Sequence, residues 1–226
     1  MKLPNGEIVI SEMSPGDLKN LIQTGESTHL EFKRTIPTAK KIAREIAAFA
    51  NTTGGTILIG VDDNGTVPGI REYFEEEFLL FQAAYDHCVP EVPIEIELVH
   101  FGPVDVMVVR VPESSNKPIY NKNKKKRRVY VRRKDASMLA SDELTEILKQ
   151  QYSPEGVTFE YGKNEQMLFR YLNEYGEITV KSFANLINQT SYRASKILVN
   201  LVSADVLSLF TKNDEDYYTF SNRTKS

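Results

Sequence analysis

The chain has 226 residues, of which 41% are hydrophobic and 26% charged, and its formal net charge at pH 7 is −3. This length and composition are typical of one large or two small globular domains. The apolar runs are too short to cross a bilayer, so we expect a cytoplasmic protein with no membrane partner. The single cysteine, Cys88, excludes an internal disulfide, and three scattered histidines offer no Cys/His zinc site.

Three elements are predicted in the N-terminal part of the chain. Ser14 followed by Pro15 is typical of a helix start with Ser14 as the N-cap, and Gly25 ends that helix. Apolar and polar residues alternate over 29–33, which predicts a half-buried strand. A second helix, over 37–50, has apolar side chains along one face.

This second helix leads through an Asn-Thr-Thr-Gly-Gly turn into a central strand, predicted at 56–61. Gly54 and Gly55 indicate a helix end that needs a positive φ angle and a turn in which backbone segments approach closely. Asp62 and Asp63 follow the strand. They are either ordinary turn carboxylates or functional groups at the end of a buried strand.

The rest of the first domain, which we place at residues 1–152, is predicted to mix helices and strands, with a linker at 153–156. Its further elements are a helix over 72–87, a hairpin of strands 94–101 and 104–111, an extended pair at 119–120 and 129–132, and a helix over 141–151. Cys88 follows the first of these helices and is interpreted as a small core residue.

Positive charge is concentrated between the two extended segments. Residues 122–134 contain nine of the 28 lysines and arginines and no acidic residue, which leaves 19 basic and 31 acidic side chains elsewhere, a net charge of −12. Clustered cations neutralise phosphates, so this stretch predicts nucleic-acid binding, with Tyr120 and Tyr130 available for base stacking. The run itself is predicted to form a hairpin tip, and a solvated, mobile loop without a partner is the alternative. The nine candidate residues are Lys122, Lys124, Lys125, Lys126, Arg127, Arg128, Arg132, Arg133 and Lys134.

The second domain, placed at 163–226, has the element order of a winged helix-turn-helix, in which the third helix enters a major groove. The predicted elements are helices over 165–175, 179–188 and 191–204 and strands over 207–211 and 217–220. Arg193 and Lys196 lie on the third helix and are candidate DNA contacts, and such regulators commonly act as symmetric homodimers. The acidic hairpin tip at 214–216 would repel phosphate, so a protein contact is the alternative role.

Three stretches in order, GESTHLEFK at 25–33, AFANTTGG at 48–55 and IGVDD at 59–63, resemble the Schlafen-type Alba-like domain family. Later pieces agree, with VPES at 111–114 and YVR at 130–132, and the resemblance covers roughly residues 14–150. It implies an α+β domain with a mixed sheet. Members of this family are described as DNA-binding regulators, frequently with a C-terminal winged helix, and the eukaryotic Schlafen members include RNA endonucleases.

In those nucleases two glutamates five residues apart and an aspartate after the central strand form the active site, and Glu26, Glu31 and Asp63 match them. The resemblance implies that these carboxylates hold Mg²⁺ or Mn²⁺ and that Lys33 offsets charge in the transition state. A spacing of five on one strand places Glu26 and Glu31 on opposite faces, so convergence requires Glu26 to lie in the preceding loop. The alternative is that Glu31 and Lys33 form a same-face ion pair.

The sequence therefore favours a nucleic-acid-binding protein, with a DNA-binding transcriptional regulator as the first hypothesis and RNA as the alternative ligand. A metal-dependent endoribonuclease is the competing class, and a protein-interaction adaptor is the third. No cofactor is expected unless the protein is a nuclease.

Overall fold

A computed structural model describes residues 13–123, 126–153, 156–159 and 161–221. The chain divides into two compact units, the first ending at Ala140 and the second beginning at Ser141. This division precedes the predicted linker, because the helix Asp142–Gln151 contributes Ile147 to the core of the second unit. In the described ranges, no helix is both long and apolar enough to span a membrane.

The described part of the first unit contains two four-stranded sheets. Its elements are α1 (Pro15–Gln23), β1 (Leu30–Lys33), α2 (Ala39–Asn51), β2 (Gly55–Ile59), α3 (Tyr73–Phe81), a π-helical turn (Gln82–His87), β3 (Cys88–Val89), β4 (Glu95–Phe101), β5 (Val104–Val111), β6 (Tyr120–Asn123), β7 (Lys126–Arg133) and β8 (Ala136–Leu139). The first sheet has the order β1-β2-β5-β4, with β1 and β2 parallel and the other pairs antiparallel. The second has the order β3-β6-β7-β8. The predicted α+β class with a mixed sheet is confirmed.

Helix α2 forms the centre of this unit. Its apolar side chains, including Ile42, Ile46 and Phe49, are buried against Ile57 and Met107 of the first sheet. Its C-terminal end contacts the second sheet, where the Asn51 side chain bonds to the backbone of Ile119, directly before β6, and of Tyr130 in β7. Burial of each large apolar side chain contributes about 1.5–3 kcal/mol to the stability of the fold. Because α2 contacts both sheets, it is the element that joins them.

Helix α1 covers the opposite face of the first sheet. Ser14 is its N-cap as predicted, with the Asp17 amide donating to Ser14 Oγ at 3.1 Å. Leu18 and Ile22 point inward and pack against a cluster that includes Phe32. The first sheet is therefore covered on both faces, which explains its largely apolar strands.

Gly54, directly before β2, and Gly55, its first residue, serve the two purposes that the sequence predicts. Gly54 has a φ angle of +70°, and a Cβ atom there would lie 2.8 Å from the Val111 carbonyl oxygen. A Cβ atom on Gly55 would lie 2.4 Å from the Phe49 ring. The glycines let β2 start directly beside the end of α2.

Replacing Gly55 with alanine is expected to lower the free energy of unfolding by about 1–3 kcal/mol, because the added methyl group overpacks the core against Phe49. Gly16→Ala is the matched control, since its nearest neighbour would be Ser14 Oγ at 3.6 Å. Urea denaturation of both variants measures the difference. Equal stabilities would contradict the close approach at Gly55.

The helix predicted over 72–87 changes character within its length. It is α-helical to Phe81 and then continues as a π-helical turn to His87. In this turn the Ala84 carbonyl accepts a hydrogen bond from the Val92 amide at 3.2 Å, so the wider turn accommodates a bond from the following segment. Cys88 follows it and is buried, as predicted.

Glu76 on α3 is a buried carboxylate whose Oε2 atom accepts a hydrogen bond from the Ile36 amide at 2.9 Å. Burial is the main cause that raises its pKa above 4.5. The native state therefore binds this proton more tightly than the unfolded chain does, and wild-type stability falls as pH rises through the raised pKa.

Glu76→Gln keeps an oxygen acceptor for the Ile36 amide but removes the charge. We expect the variant to gain stability relative to wild type as pH is raised from about 4 to 7, because wild type alone must bury a carboxylate there. Denaturation curves at several pH values measure this difference. A difference that does not change with pH would contradict the raised pKa.

The second unit, in its described residues, has four helices and a two-stranded hairpin. These are α4 (Asp142–Gln151), α5 (Lys163–Tyr175), α6 (Val180–Leu186), α7 (Ser191–Ser203), β9 (Leu207–Lys212) and β10 (Glu215–Phe220). Its core includes Leu168, Phe183 and Leu198, and Ile178 forms an isolated bridge to Tyr218 of β10. The three helices and the hairpin predicted from residue 163 onward are present in the predicted order.

Candidate nucleic-acid interface and carboxylate site

The basic stretch lies largely on two paired strands. Lys122 of β6 is opposite Arg127 of β7, Arg128 follows, and all three side chains are exposed. The prediction that the whole run forms a hairpin tip is wrong for these residues, because the pairing continues to Asn123 opposite Lys126. Strand pairing fixes the backbone positions of these exposed cations relative to one another, whereas a loop would not.

The other predicted cations fall into three groups. Lys124 and Lys125 lie outside the described residues, and Lys126 is described by its backbone alone. Arg133 is half-buried at the end of β7. Lys134 is exposed in the turn that leads to β8, about one strand length from the hairpin tip.

Both faces of the β6–β7 hairpin carry positive charge. Directly opposed residues on neighbouring strands share a face, and successive residues alternate between faces. Lys122 therefore shares one face with Arg127, and Arg128 shares the other with Tyr130. The second face is turned toward α2, since the guanidinium carbon of Arg44 lies 6.0 Å from the centre of the Tyr130 ring.

Arg132 differs from the other predicted cations because its side chain is completely buried. Its Nη1 atom lies 2.7 Å from Glu31 Oε2 and 3.5 Å from Glu45 Oε2, and Nη2 donates to the Ser27 carbonyl at 2.7 Å. The guanidinium lies 4.6 Å from the centre of the Phe49 ring. Arg132 cannot reach a bound polyanion, which corrects the prediction made for it. Alternation along β7 turns it toward α2 and the buried carboxylates.

Glu26 lies in the loop before β1, where the spacing argument requires it. The Gly60 amide donates to the Lys33 carbonyl at 2.8 Å, so the backbone of Lys33 faces β2 and that of Phe32 faces the free edge of the sheet. Glu26 Oε1 accepts from the Phe32 amide at 2.9 Å, and Lys33 Nζ donates to the Phe32 carbonyl at 2.8 Å. These two side chains therefore satisfy backbone groups on an unpaired edge.

Glu31 is buried and is paired with two cations. Its Oε1 atom forms an ion pair with Lys33, and its Oε2 atom accepts from Arg132. Lys33 therefore lies beside one of the candidate carboxylates. The same-face pair of Glu31 and Lys33, which was the alternative reading of these residues, is also present.

The three candidate carboxylates are electrostatic neighbours. Burial is the main cause that raises the pKa of Glu26 above 4.5, and the negative charges of Glu31 and Asp63 raise it further. The hydrogen bond from Phe32 and the charge of Lys33 oppose this rise. Asp63 is exposed in the turn after β2.

The carboxylates do not fit a divalent cation in this arrangement. Both oxygens of Glu31 are paired with protein cations, and Glu26 Oε1 is bonded to a backbone amide. Within the part of the chain that the structure describes, no three His, Cys, Asp or Glu side chains are grouped so as to hold a metal ion. Mg²⁺ or Mn²⁺ at Glu26, Glu31 and Asp63 would require Glu31 to release Lys33 and Arg132.

Comparison with known proteins identifies the region that contains both the hairpin and the carboxylates. A profile of the family described as Schlafen, AlbA_2 matches residues 26–141, just over half of the chain. The chain belongs to the Schlafen, AlbA_2 family. The match begins at Glu26 and includes the whole of β6 and β7, so every candidate residue of the first unit lies in the Schlafen, AlbA_2 region.

Two solved structures are similar to parts of this Schlafen, AlbA_2 protein. The N-terminal domain of a protein from Nitrosomonas europaea, described as related to the ATP-dependent DNA helicase RecG, has 28% sequence identity and a TM-score of 0.44. The similarity covers 57% of this chain and 92% of that domain. The DIP2311 protein from Corynebacterium diphtheriae has 18% identity and a TM-score of 0.40, over 67% of this chain and 31% of that one.

In the unit that follows the Schlafen, AlbA_2 match, α7 exposes the two predicted cations, Arg193 and Lys196. Helix α4 lies along the same helix, with Ser195 Oγ donating to Glu143 at 2.9 Å. Arg193 itself donates to Gln189 at 2.9 Å. Helix α4 therefore covers the side of α7 that carries Ser195, whereas Arg193 and Lys196 occupy exposed positions.

Asn51 is a residue of the Schlafen, AlbA_2 domain whose role the sequence analysis missed. Its Nδ2 atom donates to the carbonyls of Ile119 at 2.8 Å and Tyr130 at 2.9 Å, and its Oδ1 atom accepts from the Ile119 amide at 2.6 Å. Thr52 adds a bond, since its hydroxyl accepts from the Arg132 amide at 2.9 Å. The signal that could have indicated this role is the pair of polar residues, Asn51 and Thr52, at the end of an apolar helix, because buried polar groups need hydrogen-bond partners.

Proposed function

We propose that this protein binds nucleic acid through the β6–β7 hairpin of its Schlafen, AlbA_2 domain. The observation that carries the proposal is the exposure of Lys122, Arg127 and Arg128 on the paired strands β6 and β7. The chain outside residues 122–134 has 19 basic against 31 acidic side chains, so positive charge is concentrated at this hairpin. Such a patch attracts phosphates by releasing their condensed counterions.

The specific form of the proposal is a DNA-binding transcriptional regulator that acts as a homodimer. The described order of three helices and a hairpin in the second unit supports a winged-helix module, and Arg193 and Lys196 are available on α7. The acidic tip between β9 and β10 would repel phosphate. We therefore expect this module to contact DNA through α7 or to form the dimer interface.

Fluorescence anisotropy with labelled duplex DNA, single-stranded DNA and an RNA stem-loop, measured side by side from about 50 to 200 mM salt, tests the proposal. We expect binding whose logarithm of affinity falls linearly with the logarithm of salt concentration. Absence of binding to all three probes at the lowest salt would reject the proposal and leave the adaptor role.

Metal-dependent RNA cleavage is the second candidate function. The observation in its favour is that Glu26 bonds to the backbone of Phe32, next to Glu31, where burial and the charges of Glu31 and Asp63 raise its pKa. The ion pairs of Glu31 oppose it in the present arrangement. Mn²⁺-dependent cleavage of a structured RNA by wild type, lost in Glu31→Gln and Asp63→Asn, would support it, whereas equal traces of cleavage in all three proteins would reject it.

A further inference from the structure

The N-terminal half of α2 lies beside the face of the β6–β7 hairpin that carries Arg128 and Tyr130. Asn121 Nδ2 of β6 donates to the Lys40 carbonyl at 3.5 Å, and Arg44 lies over the Tyr130 ring of β7 at 6.0 Å from its centre. Lys40 and Arg44 are four residues apart and share one side of the helix. This edge of α2, defined here as Lys40, Lys41 and Arg44, therefore meets the hairpin through the Lys40 carbonyl and the Arg44 side chain.

Arg44 is held in place while it remains accessible. Its Nε and Nη2 atoms donate to Glu45 Oε1 at 3.1 and 2.8 Å, and half of its side chain is exposed. The hydrogen bond to Glu45 raises the pKa of Arg44, so the group stays charged. Two bonds to one buried carboxylate fix the plane of the guanidinium beside the tyrosine ring.

The charges around Tyr130 sum to a positive surface. Lys40 and Lys41 are exposed on α2, and Arg128 shares the hairpin face of Tyr130. The acidic neighbour Glu45 is buried and also lies 3.5 Å from Arg132. An anionic ligand on this surface would meet several cations around one half-buried aromatic ring.

We propose that the α2 edge and Tyr130 bind unpaired nucleotides, with Lys40, Lys41 and Arg128 on the phosphates and a base stacked on the Arg44–Tyr130 pair. The inference rests on the proposed function and adds the form of nucleic acid that is preferred. A duplex keeps its bases stacked inside and offers mainly phosphates and groove edges. An unpaired base can stack on an aromatic ring or an arginine plane, largely independent of sequence.

Two kinds of variant separate stacking from charge. Arg44→Lys keeps the charge but removes the planar group, and Tyr130→Leu removes the ring. Each is expected to lower the affinity for a single-stranded DNA probe about five- to a hundredfold, which is the range measured for loss of one stacked base, while affinity for duplex DNA changes less than about twofold. Circular dichroism and melting curves confirm that each variant is folded.

The charge variant is Lys40→Gln with Lys41→Gln, both on exposed positions of α2. We expect the slope of log affinity against log salt for single strands to become shallower by about 1.4, since each phosphate contact contributes roughly 0.7. Lys19→Gln with Arg71→Gln removes the same charge from exposed positions outside both the α2 edge and the hairpin and should leave the slope unchanged.

The outcomes distinguish this inference from the proposed function. If wild type binds and hairpin substitutions weaken it, but Arg44→Lys and the Lys40/Lys41 variant keep single-strand affinity within about twofold, the α2 edge is not a contact and the inference is overturned. Equal losses for single strand and duplex in Arg44→Lys would overturn the stacking role. Failure of wild type to bind any probe would overturn the proposed function itself, and the inference with it.

Discussion

Replacing Arg132 with alanine is expected to lower the free energy of unfolding by about 3–5 kcal/mol, because the change removes a fully buried cation that pairs with two buried carboxylates. Arg132 lies 2.7 Å from Glu31 and 3.5 Å from Glu45, and the two carboxylates are 7% and 3% exposed. Lys33 and Arg44 still pair with these carboxylates, but both side chains are partly exposed and neither replaces the buried guanidinium. Urea denaturation followed by circular dichroism measures the change, since the chain has no tryptophan.

Arg133→Ala is the matched control, because it removes the same type of side chain one residue along β7 from a half-buried position. We expect it to cost less than about 1 kcal/mol. Adding Glu31→Gln to Arg132→Ala should restore part of the lost stability, because it removes one of the two buried charges that have lost their pairing with Arg132. Equal losses for Arg132→Ala and Arg133→Ala would show that the buried ion pairs do not hold β7 to β1 and α2.

Local signals in the sequence were sufficient for much of the fold. The helix start at Ser14, the turn at Gly54 and Gly55 and the hairpin of β4 and β5 depend on neighbouring residues, and all are present. The spacing also set a condition, that Glu26 must lie outside β1 if it is to converge with Glu31, and Glu26 does lie in the preceding loop.

Long-range partners account for what the sequence could not provide. Residues 122–134 read as one basic run, and no neighbour of Arg132 indicates that its partner Glu31 lies 101 residues earlier in the chain. The short strands β3 and β8 were missed because two to four residues carry little periodicity, and they are defined by pairing with β6 and β7. The sequence could not indicate the Arg44–Tyr130 contact either, because the two residues are far apart in the chain.

The second large expected effect concerns the hairpin. Changing Lys122, Arg127 and Arg128 together to alanine should weaken nucleic-acid binding about a hundredfold or more at about 0.1 M salt. Each phosphate contact that is lost leaves counterions on the nucleic acid that wild-type protein would release, and this release favours binding. The three side chains are exposed, so the substitutions should leave the fold intact. Lys19→Ala, Arg71→Ala and Lys181→Ala together change the net charge equally at exposed positions outside the hairpin and should bind as wild type does.

The dependence of affinity on salt for wild type and this triple hairpin variant tests the central claim most directly. On one duplex DNA probe, the slope of log affinity against log salt should become shallower by about 2.7 in the variant, since each contact on duplex DNA contributes roughly 0.9. The exposed-cation control should keep the wild-type slope. A hairpin variant with the same affinity and the same slope as wild type would contradict binding through β6 and β7.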